Sequence, residues 1–146
     1  MLNEQVRRIM SSDPVVVGPM DKVNDVSNMM VAKQLQQLPV VDENRQFLGI
    51  ITSYDMWQNS KNGVASPEQT VQQIMNTNVI HISPKDKVGT AAELFMDKRF
   101  KTLPVVNLKN ELKGVITAFD VIKYVFENEY PHPSIYESII NEPAAR

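Results

Sequence analysis

The sequence predicts an α/β (α+β) protein built from two copies of one small unit, and three observations lead there. The first is an internal repeat. Shifted by 65 residues, positions 6–59 superimpose on 71–124 without a gap, and 16 of the 54 pairs are identical. The second is an alternation of short apolar runs with segments whose apolar residues recur at helical spacing. The third is size: a unit near 55 residues is small to be stable alone, so the two are expected to pack into one module. Composition fits, with 42% hydrophobic and 22% charged residues, ordinary values for a globular chain.

Each unit reads as α-β-α-β-β-α. A short amphipathic helix opens it, Glu4–Met10 or Glu68–Met75. In the second copy Ser66 suits an N-cap, Pro67 the first helical position and Gln69 a capping box. A brief strand follows, Val15–Val17 or Val79–Ile82. Val23, Val26 and Met30, like Val88, Ala91, Ala92 and Phe95, then mark an amphipathic helix beginning near Pro19 or Pro84. Leu38–Val41 and Leu103–Val106 share the unbroken run LPVV, expected to be a strand buried on both faces. A polar turn leads to a third strand ending at Thr52 or Thr117, and a last helix follows. The expected organisation is 1–62 for the first unit, 66–128 for the second and 129–146 for a C-terminal tail, with Asn59–Ser66 as linker. The tail, with Pro131, Pro133 and Pro143, shows one helical pattern at Ser134–Asn141 and no chemistry.

The last helix of the second unit has almost no polar face: Phe119, Val121, Ile122, Tyr124, Val125 and Phe126 surround it. Such a helix is covered on more than one side. Its own sheet can cover one, so a homodimer or the tail is expected at the other. Met56 and Trp57 hint at the same in the first unit.

Several function classes are excluded on residue inventory. The net charge is -2 with no basic run, so no nucleic-acid partner is expected. No apolar stretch approaches membrane-spanning length, and a cytoplasmic protein without membrane contact is expected. There is no cysteine, and His81 and His132 do not form a ligand pattern, so no metal site is expected; Mg²⁺ would arrive only with a nucleotide's phosphates. No nucleophile–base pairing can be drawn, and the chain is expected not to be an enzyme. The eight Met residues fall mostly at helical core positions, and Tyr54 and Trp57 are assigned to packing rather than to stacking on a base.

The chemistry concentrates at two corners, GIITSYD (Gly49–Asp55) and GVITAFD (Gly114–Asp120). Thr52-x-x-Asp55 and Thr117-x-x-Asp120 fit a capping box worth about 1 kcal/mol. They also fit an anion site, because helix-terminal amides and a Thr hydroxyl converge there and an ionised Asp accepts ribose hydroxyls. One Thr can do both. The Gly three places before each Thr lets a ligand or another backbone come close.

With the Ile-Met pairs (Ile9-Met10, Ile74-Met75), LPVV and the Gly-h-h-Thr-x-x-Asp corner occurring twice in order, the repeat resembles the cystathionine β-synthase (CBS) domain. The tandem is similar to a CBS pair, or Bateman module, over Val6 to Tyr124. The resemblance implies two pseudo-twofold-related units, each a small mixed sheet packed against two helices. It also implies adenosyl-ligand sites between the units and disc-like dimers. No cofactor is required; family ligands are AMP, ADP, ATP, S-adenosylmethionine or cyclic dinucleotides. Carried over, Asp55 and Asp120 take ribose, and Thr52 and Thr117 take phosphate. Gln36 and Gln37, or Lys101 and Thr102, face phosphate or ribose. Asp13–Val15 and Asn78–Ile80 contact adenine.

The copies differ where phosphate would lie. Lys101, with Arg99 nearby, can make charge-assisted hydrogen bonds that neutral Gln36 and Gln37 cannot. The Asp120 corner is therefore the better candidate for a phosphorylated ligand; a solvated surface lysine is the other reading of Lys101. The function expected is a stand-alone regulatory module that binds an adenosyl ligand and signals to a separate, unidentified effector protein. A ligand-free dimerisation or scaffold module is the alternative.

Overall fold

Each half is built around an antiparallel hairpin feeding a helix. A computed structural model describes residues 2–63, 66–97 and 100–129. In the first half, α1 (Val23–Lys33) precedes β1 (Gln37–Val41), β2 (Phe47–Thr52) and α2 (Ser53–Lys61). In the second, α3 (Val88–Phe95) precedes β3 (Thr102–Val106), β4 (Leu112–Thr117) and α4 (Ala118–Glu129). The registers are equivalent: Gln37 pairs with Thr52 and Val40 with Gly49, as Thr102 pairs with Thr117 and Val105 with Gly114. The LPVV strands are buried throughout, because β2 or β4 covers one edge and a single parallel bridge, Val17–Val40 or Ile82–Val105, covers the other. Pro39 costs no ladder bond there: its carbonyl accepts the Val17 amide at 3.0 Å.

The structure corrects four local expectations. The opening helices are single 3₁₀ turns, Val6–Arg8 and Val71–Gln73. Their amides are engaged elsewhere: those of Val6 and Arg7 donate to the carbonyls of Asp86 and Pro84, and those of Val71 and Gln72 to Asp21 and Pro19. The expected first strands, Val15–Val17 and Val79–Ile82, shrink to the single bridges at Val17 and Ile82. The capping box belongs to Thr70 and Gln73, whereas Ser66 Oγ accepts the Glu68 amide in a turn. α1 and α3 start at Val23 and Val88 rather than near Pro19 and Pro84, because the Asp21 and Asp86 carboxylates take the Gly18 and Ser83 amides and close a turn first. Met30 is buried, but Met20 and Met96 are exposed. The helical pattern at Ser134–Asn141 lies outside the described residues.

The two halves exchange their opening turns. Val6 lies in one cluster with Ile82, Val88, Leu103, Val105 and Ile116 of the second half. Val71 lies with Val17, Val26, Leu38, Val40 and Ile51 of the first. Both are fully buried. Each chain segment after an exchanged turn must therefore cross from one core to the other, Ser11–Val15 in one direction and Asn76–Ile80 in the other. The hairpin tips meet as well. Arg45 and Asn110 adopt left-handed φ of 61° and 63°, and the Phe47 and Leu112 amides donate to the Asn110 and Arg45 carbonyls at 2.9 and 3.0 Å. At this joint the Glu111 carboxyl is held below its ordinary value, first by the Asn107 amide and then by Lys113.

Candidate functional site

Both Thr-x-x-Asp corners are built as capping boxes at the junctions β2–α2 and β4–α4. Thr52 Oγ1 accepts the Asp55 amide at 3.1 Å, and Asp55 Oδ2 accepts the Thr52 amide at 2.9 Å. Thr117 and Asp120 repeat both bonds at the same distances. The first helical amides are tied to the residues before the hairpins: Ser53 donates to the Gln36 carbonyl at 2.9 Å and Ala118 to the Lys101 carbonyl at 3.3 Å. With the strand pairing, this places Gln36 and Gln37 beside Thr52, and Lys101 and Thr102 beside Thr117.

The glycines admit a backbone. A Cβ on Gly49 would lie 2.3 Å from the Asn76 carbonyl oxygen, and one on Gly114 equally close to that of Ser11. Two-way amide–carbonyl bridges, Ile50–Asn76 and Val115–Ser11, run alongside at 2.8–3.0 Å. The missing side chains thus let each crossing segment dock as an extra strand on the other half's hairpin.

Between the halves lies a cleft of about 380 Å³, inside the ~300–1,000 Å³ range of small-molecule sites. It brings together seven of the residues singled out from sequence: Asp13 and Val15 on the first crossing segment, Gln36 and Gln37 ahead of β1, and Lys101, Thr102 and Thr117 of the second half. Ile50, Val115 and Pro39 supply apolar wall, and Ser11 and Gln34, absent from the sequence reading, join the lining. Asn78, Ile80, Thr52, Asp55 and Asp120 are not among the lining residues. At the second corner the cleft therefore takes in Thr117, whereas at the first it takes in Gln36 and Gln37 but not Thr52. Asp120 sits one helical turn behind Thr117, to which it is bonded. Arg99 lies outside the described residues. Gln34 was missed because nothing in its residue type marks it; its left-handed φ of 56° turns the chain out of α1 into the cleft wall.

The corners also differ in charge and in their bonds. Among the described residues no carboxylate lies within 4.0 Å of the Lys101 ammonium. At the first corner, Asp55 Oδ2 takes two bonds beyond the Thr52 amide, from Thr52 Oγ1 at 2.8 Å and from Asn76 Nδ2 at 2.9 Å. Tyr54 and Trp57 stand outside the cleft on α2, 61% and 55% exposed, with Lys61 4.8 Å over the Trp57 ring. Their rings lie 5.8 Å apart, so they pack on each other. Among the described residues no group of three His, Cys, Asp or Glu could hold a metal ion, and no helix is long and apolar enough to cross a membrane.

Comparison with known proteins agrees with this architecture. The uncharacterized protein MJ1225 of Methanocaldococcus jannaschii is 32% identical over 133 residues, covering 84% of this chain and 47% of that protein. Its crystal structure superimposes with a TM-score of 0.72 at 31% identity, over 84% of this chain and 48% of that one. CBSX2, a CBS-pair protein of Arabidopsis thaliana, was solved in complex with AMP. It matches at TM-score 0.74 and 25% identity, over 86% of this chain and 98% of that one. The CBS domain pair of protein MJ0100, solved with 5′-methylthioadenosine and S-adenosyl-L-methionine, matches at TM-score 0.70 and 25% identity, with the same coverage. The chain spans about half or less of the length of the curated relatives it matches. The CBS domain model matches residues 6–56 and 71–127, the two halves described above, and the chain belongs to the CBS domain family as a tandem CBS pair.

Proposed function

We propose that this CBS pair is a regulatory module: it binds an adenine nucleotide or related adenosyl ligand in the cleft between its halves and reports occupancy to a separate protein. One observation carries the reading. A single cleft joins the crossing segment Ser11–Val15 to Lys101, which has no carboxylate partner among the described residues, and to the Thr117 helix start. Adenine packs against Pro14 and Val15, the ribose hydroxyls donate to Asp120, and the phosphate meets Lys101 and the Thr117 hydroxyl at the positive end of α4. The complexes of CBSX2 with AMP and of MJ0100 with S-adenosyl-L-methionine support this ligand class. Lys101 favours the phosphorylated members, AMP, ADP or ATP, with Mg²⁺ entering only on their phosphates. On this reading the module binds its ligand without turning it over. Because a ligand there touches the segment that ties one core to the other, occupancy stiffens the joint between halves, a change that a partner can sense.

A thermal-shift panel of AMP, ADP, ATP, S-adenosylmethionine, NAD and cyclic dinucleotides tests the reading. At a hundredfold excess over Kd a specific ligand adds ~2.7 kcal/mol, a rise in Tm of roughly 6–10 °C at this chain length. A flat panel would leave the scaffold function instead.

The module also works as a homodimer. α4 turns Val121 into the core but leaves Phe119 and Ile122 60% and 64% exposed, and α2 exposes Tyr54 and Trp57. These helices follow equivalent corners, so the apolar faces are related by the internal symmetry and suit a twofold contact. Light scattering at micromolar concentration should return twice the 16.6 kDa chain mass. A monomeric mass refutes the dimer.

A further inference from the structure

Asn76 and Ser11 occupy equivalent positions, each at the start of a crossing segment and each bridged to the other half's hairpin. Their side chains differ in reach. Asn76 Nδ2 donates to Asp55 Oδ2, which already accepts the Thr52 amide and hydroxyl. Among the described residues, Asp120 accepts only the Thr117 amide. A carboxylate offers about four acceptor positions, and holding both hydroxyls of a ribose needs both of its oxygens. At Asp55 one oxygen is saturated by three donors, one of them from the opposite half. We infer that Asn76 is a latch that closes the Asp55 corner to ribose and makes this CBS pair a one-ligand module. The inference rests on the proposed function, which supplies the ribose.

The latch fits the absence of Thr52 and Asp55 from the residues lining the cleft. Asn76 carries its hydrogen bond across the boundary between halves, so an occupant of the first corner would first have to break it. The neutral Gln36 then offers a phosphate no charge-assisted bond in return, where the second corner has Lys101. Substituting Asn76 leaves the fold's own bonds in place, because Ile50 is bridged to its backbone and Gly49 packs on its carbonyl.

The test is the stoichiometry of AMP binding by titration calorimetry. It uses the full chain and its Asn76→Ser, Gln36→Lys and Asn76→Ser/Gln36→Lys variants. The latch predicts one AMP per native chain and one for Gln36→Lys. A second event appears only with Asn76→Ser; it is roughly ten- to a hundredfold weaker than the first without the added lysine and closer to it with the lysine. Two AMP per native chain, a second event in Gln36→Lys alone, or one event in all four proteins would each overturn the latch while leaving the ligand class standing. Absence of binding to the native chain refutes the proposed function. The latch then survives only if the Asn76→Ser proteins bind, and it falls with that function if none does.

Discussion

Gly114→Ala lowers the melting temperature by roughly 6–12 °C, and Gly49→Ala does nearly the same. A Cβ at either position lands 2.3 Å from a backbone carbonyl oxygen, a separation that no side-chain rotation relieves. The crossing segment must back away, which forfeits the paired amide–carbonyl bonds beside it. Overpacking at about 1–3 kcal/mol and lost hydrogen bonds near 1 kcal/mol each put the cost at about 3 kcal/mol. For a chain of this size that corresponds to the stated fall in Tm. Gly18→Ala is the control: its Cβ would meet only the Asp21 carboxylate at 3.6 Å or more, and its Tm should move by no more than about 1–2 °C. Differential scanning calorimetry of the three variants decides the matter. If Gly49→Ala and Gly114→Ala melt like Gly18→Ala, the crossing segments are not held as described.

The second large effect is on binding. Asp120→Ala should raise the Kd for AMP about a hundredfold, since two hydrogen bonds from ribose to an ionised acceptor are worth about 3 kcal/mol together. Asp55→Ala should change it less than threefold. Asp120 also accepts the Thr117 amide, so its removal uncaps α4 at a cost of about 1 kcal/mol. Asp120→Asn separates the two roles, because its amide oxygen still accepts from Thr117 while the charge is gone. If Asp120→Asn keeps the native melting temperature but loses most of the affinity, the ribose contact is the cause. If Asp55→Ala is the more damaging variant, the asymmetry assigned to the corners is reversed.

Much of this could be read from the residues, for identifiable reasons. LPVV is apolar at consecutive positions, which only a strand covered on both faces tolerates, and the strands are so covered. The Thr-x-x-Asp spacing matches the reach from an N-cap hydroxyl to the third helical amide, so the boxes were legible twice over. The opening turns were not. Val6 and Val71 sit at helical spacing with their neighbours, but the amides of those turns bond to the opposite half, and no local pattern encodes a partner some 50 to 80 residues away. The exchange of the turns was hidden for the same reason: in a near-symmetric repeat, Val6 fits either core equally well by composition. At the site, the charge difference between Lys101 and Gln36 was visible. The difference between Asn76 and Ser11 was not, since two small polar residues look alike until one of them is found bonded to Asp55.

The Thr117–Asp120 corner, roofed by Ser11–Val15, is the proposed ligand site. A crystal structure of the protein grown with AMP tests it most directly. One nucleotide per chain is expected, with its ribose on Asp120, its phosphate at Lys101 and Thr117, and its base against Pro14 and Val15. AMP seated on Asp55 and Thr52 with the second corner empty, or a cleft unoccupied at saturating AMP, would contradict it.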